Sequence, residues 1–302
     1  MQEQTIRVSD LSKVKGIGKK TIQRVKDTLL HDDTYKSKYD PSIHLEINKI
    51  HHGDCLDLMN GIPDGSIDMI LCDLPYGLIA CGWDKSIPAS KMWNCYNRIV
   101  KDNGVVVLFS SGLFTPRVML SNINGYKYKW VWVKNNSTNF IHAKNRPMTK
   151  HEDVLIFSKA PMGHLSQLSN KRMVYNPQGL IPINKTVKTS KNKFGTIAGK
   201  RPSIKDKYIM KYTNYPKDVL IGFPEDRSNI KLHTSQKPVA LCEYLIKTYT
   251  NKGDVVLDNC IGSGTTAIAA INTNRNFIGI ELDKKYVDIA NKRIEECKNN
   301  NG

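Results

Sequence analysis

The sequence predicts an α/β protein built on an open, mostly parallel sheet, and three observations carry that prediction. The run Ile67, Met69, Ile70, Leu71 and Cys72 is nearly continuous in apolar residues, as in a strand buried on both faces. Runs of this kind alternate along the chain with stretches of helical spacing, the pattern of βαβ units. One of them, Asp254 to Leu257, leads into a glycine-containing loop and an alanine-rich helix. Such strand-to-helix junctions are where open sheets bind ligands.

The 302 residues hold 45 Lys and Arg against 28 Asp and Glu, a formal charge of +17. That excess points to a polyanionic partner, nucleic acid ahead of an acidic membrane surface. No apolar run approaches the ~18 residues that span a bilayer, and no signal-peptide h-region opens the chain. The expectation is a soluble, intracellular protein with no membrane partner. Seven cysteines (55, 72, 81, 95, 242, 260 and 297) form no Cys-x-x-Cys pair, which argues against a zinc site and a disulfide framework. His51, His52, Asp54 and Cys55 are metal-capable, but adjacent histidines on a strand face opposite ways, so no metal is expected.

Residues 1–40 read as an appended helical unit. Ser9 caps a short helix with Leu11 and Val14, and Lys19 to Leu30 places Ile22, Val25 and Leu29 on one face. Between them, Lys15-Gly16-Ile17-Gly18 resembles the turn of the helix-hairpin-helix motif, with Lys19 and Lys20 directly after it. That resemblance implies backbone amides offered to a DNA phosphate; the plainer alternative is an αα-hairpin with a lysine-rich solvated face. Tyr35 to Pro41 reads as a linker. The α/β pattern begins at His44, with a strand over Leu45 to Ile50, then Gly53-Asp54-Cys55 and a short helix carrying Leu56 and Met59. Pro63-Asp64-Gly65-Ser66 is turn chemistry leading into the strand that ends at Asp73.

After Pro88, a helix to Val100 carries Met92, Trp93, Tyr96 and Ile99 at core spacing. Strands follow over Gly104 to Phe109, Tyr128 to Val133 and Asp153 to Phe157. From Ala160 to Lys231 the chain holds 14 Lys and Arg against four acids and little apolar periodicity, the mark of an inserted basic lobe or loop region. Order resumes at His233-Thr234-Ser235-Gln236-Lys237-Pro238, where proline opens a helix bearing Leu241, Leu245 and Tyr249. The glycine loop Asp258 to Thr266, a strand over Asn276 to Leu282 and a last helix after Asp283 complete the chain.

Gly262-x-Gly264-x-x-Ala267 fits the dinucleotide fingerprint, with Glu281 lying 17 residues beyond Gly264. Only one strand and two helices follow it, however, so most of the sheet must come from earlier in the chain. The nucleotide-type loop stands last, and the strand ending in Asp73-Leu74-Pro75-Tyr76 stands first. This order resembles the β class of S-adenosylmethionine-dependent DNA amino-methyltransferases, whose signatures are Asp-Pro-Pro-Tyr, His-Pro-Thr-Gln-Lys-Pro and Asp-Pro-Phe-x-Gly-Ser-Gly-Thr-Thr. Here they stand as Asp73 to Tyr76, His233 to Pro238, and Asp258 to Thr266. Trp130 to Lys134 and Lys150 to Lys159 also look like family blocks, particularly of phage and prophage members. The resemblance covers residues 44 to 300 and departs from the pattern at Leu74, Asn259 and Cys260.

The resemblance implies a permuted Rossmann-like class I methyltransferase sheet, split into a catalytic half (41–159), a basic target-recognition segment (160–231) and a cofactor half (232–302). It implies that the Asp73 carboxylate and the Leu74 carbonyl accept the two protons of an adenine amine, with Tyr76 stacking on the flipped base. S-adenosylmethionine is the implied cofactor, with Glu281 on its ribose, Asp54 and Cys72 near its adenine, and Cys55, Gly262 and Thr265 also among the residues that bind it. Asp258, Ser263, Gly264, His233 and Lys237 would surround its methionine moiety. Double-stranded DNA is the implied substrate, in the cytoplasm of a bacterial or phage-infected cell. A second copy and a restriction endonuclease are the candidate protein partners. The same residues leave open methylation of cytosine N4 or of RNA, a non-catalytic DNA-binding protein on this fold, and an NAD oxidoreductase.

Overall fold

A computed structural model describes residues 35–76, 87–162, 171–188, 207–224 and 236–301. The helical hairpin expected near Lys15, Gly16, Gly18, Lys19 and Lys20 lies outside them, and so does His233. The described residues fall into two compact units, Asn176–Lys217 and the remainder.

The larger unit is an eight-stranded sheet in the order β1-β10-β9-β2-β3-β5-β4-β8. Its first part comprises β1 (Lys49–His52), α1 (Cys55–Leu58), β2 (Ile67–Cys72), α2 (Ala89–Ile99), β3 (Val100–Ser110) and α3 (Phe114–Ser121). Next come β4 (Tyr126–Thr138) and β5 (Thr149–Phe157), and β8 (Val219–Leu220) returns to pair with β4. The last part is α4 (Val239–Tyr249), β9 (Val255–Asp258), α5 (Thr265–Asn272), β10 (Asn276–Glu281) and α6 (Lys284–Asn301). β1, β10, β9, β2 and β3 are mutually parallel, and β5 runs antiparallel between β3 and β4. The end of the chain thus supplies strands that lie between two from the beginning, the permuted order expected.

The continuous apolar runs resolve into two cores, one on each face. Met69 and Leu71 of β2 and Val154 and Ile156 of β5 join Leu241, Leu245 and Tyr249 of α4 and Ala267, Ala269 and Ala270 of α5. Ile70 and Cys72, and Leu155 and Phe157, face the other way onto Trp93, Tyr96 and Ile99 of α2 and Val118 of α3. Period-two side-chain alternation with both faces covered is what erases the polar positions from these strands.

Two sequence expectations need correction, and one left open is decided. The first strand is Lys49–His52 and not Leu45 to Ile50, because Asn48 takes a left-handed φ of 64° that breaks extension just before it. Tyr35 to Pro41 is docked and not a free linker: Tyr35 meets Cys95 at 3.7 Å, and Arg98 donates to Ser37 Oγ at 2.9 Å. Of the two forms left open for the basic segment, the described residues favour the lobe: β6 (Ile181–Lys188) and β7 (Lys207–Thr213) form an antiparallel ribbon within the compact unit Asn176–Lys217. Both faces of that ribbon are largely exposed, so its side chains carry no apolar alternation to read.

Candidate active site at the carboxyl edge of the sheet

β2 delivers Asp73 to the carboxyl edge, and β5, running the opposite way, brings its amino-terminal residues to the same edge. Lys237, two residues ahead of α4, donates to Asp73 Oδ2 at 2.5 Å and lies 3.3 Å from Glu152 Oε2. Glu152 also accepts from Lys134 Nζ at 2.9 Å. The result is a chain of two cations and two carboxylates, with Lys237 only 9% exposed and its ammonium 5.1 Å from the centre of the Phe109 ring. Burial pulls the Lys237 pKa down, but Asp73 and Glu152 outweigh it and the net shift is upward. Burial pushes Glu152 up, and Lys237 and Lys134 reverse that to a net lowering. Lys237 and Glu152 are therefore both held in their charged forms at neutral pH.

Tyr76 closes the other side of Asp73, its hydroxyl donating to Oδ1 at 3.4 Å. Phe114, at the start of α3, stacks on the Tyr76 ring with centroids 4.4 Å apart. Burial raises the Tyr76 pKa, with Asp73 adding to the effect, so the phenol stays protonated and remains a donor. Leu74 is buried in the core, which anchors the turn that proline begins.

The glycine loop leaves β9 at Asp258. Burial lifts this carboxyl from 3.8 to about 7, although Thr266 Oγ1 donates to it at 2.6 Å and the Cys260 amide at 3.1 Å. Asp258 thus braces the loop against the first turn of α5. Gly262 and Gly264 have φ of 52° and 87°, which favours glycine at both. A Cβ on Gly264 would lie 3.0 Å from Ala290 of α6, so close helix packing also requires that glycine. A Cβ on Gly262 would meet nothing within 4 Å; this glycine faces open space. Glu281 holds the loop from β10, accepting from the Gly262 amide at 2.8 Å and the Asp283 amide at 2.9 Å. Asp54 accepts from the Leu56 amide at 2.8 Å and so caps α1.

The two halves meet in consecutive residues. Gln236 accepts from Ser263 Oγ of the loop at 3.3 Å, while Lys237 holds Asp73. Arg293 of α6 donates to the Ser263 carbonyl at 2.5 Å and to its hydroxyl at 3.0 Å. Thr265 Oγ1 and Ser110 Oγ are buried without a hydrogen-bond partner among the described residues, one in the loop and one at the carboxyl end of β3. Cys55 and Cys72 are buried beneath the loop: burial holds the Cys72 thiol near 12, and a hydrogen bond with Cys260 followed by burial raises Cys55. Among the described residues no group of His, Cys, Asp and Glu is arranged to hold a metal ion.

Of the residues expected from sequence, Asp73, Leu74, Pro75, Tyr76 and Lys237 gather at one end of this edge. Asp54, Cys55, Cys72, Asp258, Gly262, Ser263, Gly264, Thr265 and Glu281 surround the glycine loop. Lys237 touches the first group directly, and its neighbour Gln236 touches the loop. Glu152, Lys134, Arg293 and Phe114 were not singled out. Glu152 and Lys134 stood in runs that resembled family blocks, but only the antiparallel β4–β5 pairing shows why an acid and a base are needed there.

Sheet order and edge geometry together define a Rossmann-like methyltransferase fold. The DNA methylase family profile matches residues 67–292, and the chain belongs to that family of DNA methyltransferases. It is 28% identical over 274 residues to the type II methyltransferase M1.MboII of Moraxella bovis, covering 85% of this chain and 100% of that protein. Against the type II methyltransferase M.HpaI of Haemophilus parainfluenzae it is 25% identical over 256 residues, 80% of this chain and 72% of that one. The structure of M1.HpyAVI in complex with SAM superposes with a TM-score of 0.53 at 27% identity, covering 82% and 98% of the two chains. The PvuII cytosine-N4-specific DNA methyltransferase shares the fold, with a TM-score of 0.58 at 17% identity over 88% and 95%.

Proposed function

We propose that this DNA methyltransferase takes a methyl group from S-adenosylmethionine and places it on the N6 amine of an adenine flipped out of duplex DNA. The observation that carries the reading is the join at Gln236 and Lys237, which couples the glycine loop to the Asp73 carboxylate through adjacent residues. The cofactor is S-adenosylmethionine, which supplies an electrophilic methyl carbon on a sulfonium. The loop fits such a group: the Gly262 face is open, and the buried Thr265 and Ser110 hydroxyls lack partners among the described residues. Glu281, Asp54, Cys55 and Cys72 would line its nucleoside end. Asp258, Ser263, Gly264, Thr265 and Lys237, with His233 contributed from beyond the described residues, would surround the other end.

An adenine amine is a weak nucleophile because its lone pair is delocalised into the ring. Each Asp73 carboxylate oxygen has two lone pairs, so it can hold Lys237 or Tyr76 and still accept from the amine. The Leu74 carbonyl accepts the second amine proton, and the two acceptors favour a pyramidal nitrogen. Tyr76, backed by Phe114, offers a ring for the base to stack on. As the nitrogen gains a methyl it releases one proton to solvent. Lys237 pairs with Asp73, and with Lys134 it favours the charged form of Glu152, so the cationic side of the site faces the acceptor throughout.

Aspartate at position 73, where cytosine-N4 enzymes of this kind carry serine, supports adenine over cytosine; methylation of cytosine N4 is the second reading. The ribbon within Asn176–Lys217 would read the target sequence: that unit has ten Lys and Arg against one Asp. The amino-terminal unit would add phosphate contacts through Lys15, Gly16, Gly18, Lys19 and Lys20. A restriction endonuclease and a second copy of the chain are its proposed protein partners. The test is transfer of labelled methyl to DNA by the wild type, Asp73→Ala and Tyr76→Ala. Both variants should bind S-adenosylmethionine and transfer at least ~100-fold more slowly, the scale of losing an oriented acceptor. Wild-type transfer by Asp73→Ala would end this reading.

A further inference from the structure

β4 and β5 continue past the site, and the turn that joins them, residues 139–148, is built and not loose. Asn139 takes a left-handed φ of 69° and donates to Thr149 Oγ1 at 3.0 Å. The Ala143 amide closes on the Phe140 carbonyl at 2.9 Å and the Arg146 amide on the His142 carbonyl at 3.0 Å. This turn presents Phe140 and Ile141 side by side at 80% and 85% exposure. Neighbouring large apolar side chains this exposed are unusual at a monomer's surface unless something covers them. From Asn135 to His151 there are three Lys and Arg (Lys144, Arg146, Lys150) and no acid. Thr149, at the base of the turn, is three residues along β5 from Glu152, about 10 Å at strand rise, on the edge that holds Asp73.

We propose that Phe140 and Ile141 form a wedge that enters the duplex at the position vacated by the flipped target base, with Lys144 and Arg146 on the flanking phosphates. The inference rests on the base-flipping reading above. An enzyme that extrudes a base leaves an unstacked gap, and apolar side chains inserted between base steps are a recognised way to fill one. The tip supplies apolar surface, the turn supplies cations, and both project from the edge the base must reach. A protein partner of matching acidic character, or a second copy of this chain, is the competing occupant.

The test uses the full chain and the site mapped from its own methylated genomic DNA. Methylation by wild type, Phe140→Ala/Ile141→Ala and Phe140→Leu is compared on a fully paired duplex and on one whose target base faces an abasic position, where flipping costs less. The double variant should lose about tenfold or more in kcat/KM on paired DNA, recover on the abasic-opposed duplex, and keep wild-type Tm. Phe140→Leu, which keeps an apolar tip, should stay near wild type. Equal activity of wild type and double variant on paired DNA would overturn the wedge while leaving the methylation reading intact. An equal loss on both duplexes, or a change of oligomeric state in light scattering, would also overturn it, in favour of general binding or self-association. A wild type that methylates no DNA would remove the base-flipping reading and the wedge together.

Discussion

Asp73 is held from two sides, and each neighbour has a separate consequence. Replacing Lys237 by Met leaves Asp73 and Glu152 facing each other in a largely buried place, where losing one partner of an ion pair costs about 3–5 kcal/mol. The expected outcome is a Tm drop together with loss of methyl transfer, measured by thermal unfolding and labelled transfer on the same preparation. Asp258 gives a pH test with a definite sign. Its folded pKa of about 7 lies above its ordinary 3.8, so the folded chain binds this proton more tightly than the unfolded chain does. Its contribution to stability is intact below pH 3.8 and falls as pH rises to about 7. Asp258→Asn removes that slope, so the Tm of the variant relative to wild type should rise across this window. A difference independent of pH would contradict the assignment.

The elements show what the sequence could and could not disclose. The β2 run was legible because burial on both faces leaves an unbroken apolar string, and the structure divides that string between two cores. The glycine loop was legible because left-handed backbone at Gly262 and Gly264 restricts the choice of residue. The β6–β7 ribbon was not, because its exposed faces impose no alternation, and Glu152 was not, because its partners come from β4 and from Lys237, two residues ahead of α4. α4 also carries a device with no role in the chemistry. Tyr249 Oη accepts from Trp130 Nε1 at 2.6 Å and pairs with Tyr128 Oη at 2.9 Å, tying the helix to β4. Tyr249→Phe leaves the Trp130 donor buried and unsatisfied, a loss of about 1–3 kcal/mol in denaturant unfolding, with methyl transfer per folded molecule unchanged.

For the whole molecule, charge and fold divide the work. The sheet positions two chemistries, a carboxylate turn and a glycine loop, on one edge, while the +17 net charge supplies attraction to a polyanion that needs no sequence reading. Replacing Lys185, Lys188, Lys207 and Lys211 of the ribbon by Ala should flatten the dependence of log affinity on log salt by up to about four. The check is DNA binding over a salt series; an unchanged slope would take the ribbon off the DNA. Among the described residues no helix is long and apolar enough to cross a membrane.

The central claim is a reaction at Asp73, and its product identifies it most directly. Unmodified genomic DNA incubated with the protein and S-adenosylmethionine, then digested to nucleosides and resolved by mass spectrometry, should contain N6-methyladenine. The same treatment with Asp73→Ala should yield none. N4-methylcytosine in place of N6-methyladenine would contradict the base assignment, and N6-methyladenine formed equally by the Asp73→Ala variant would contradict the site.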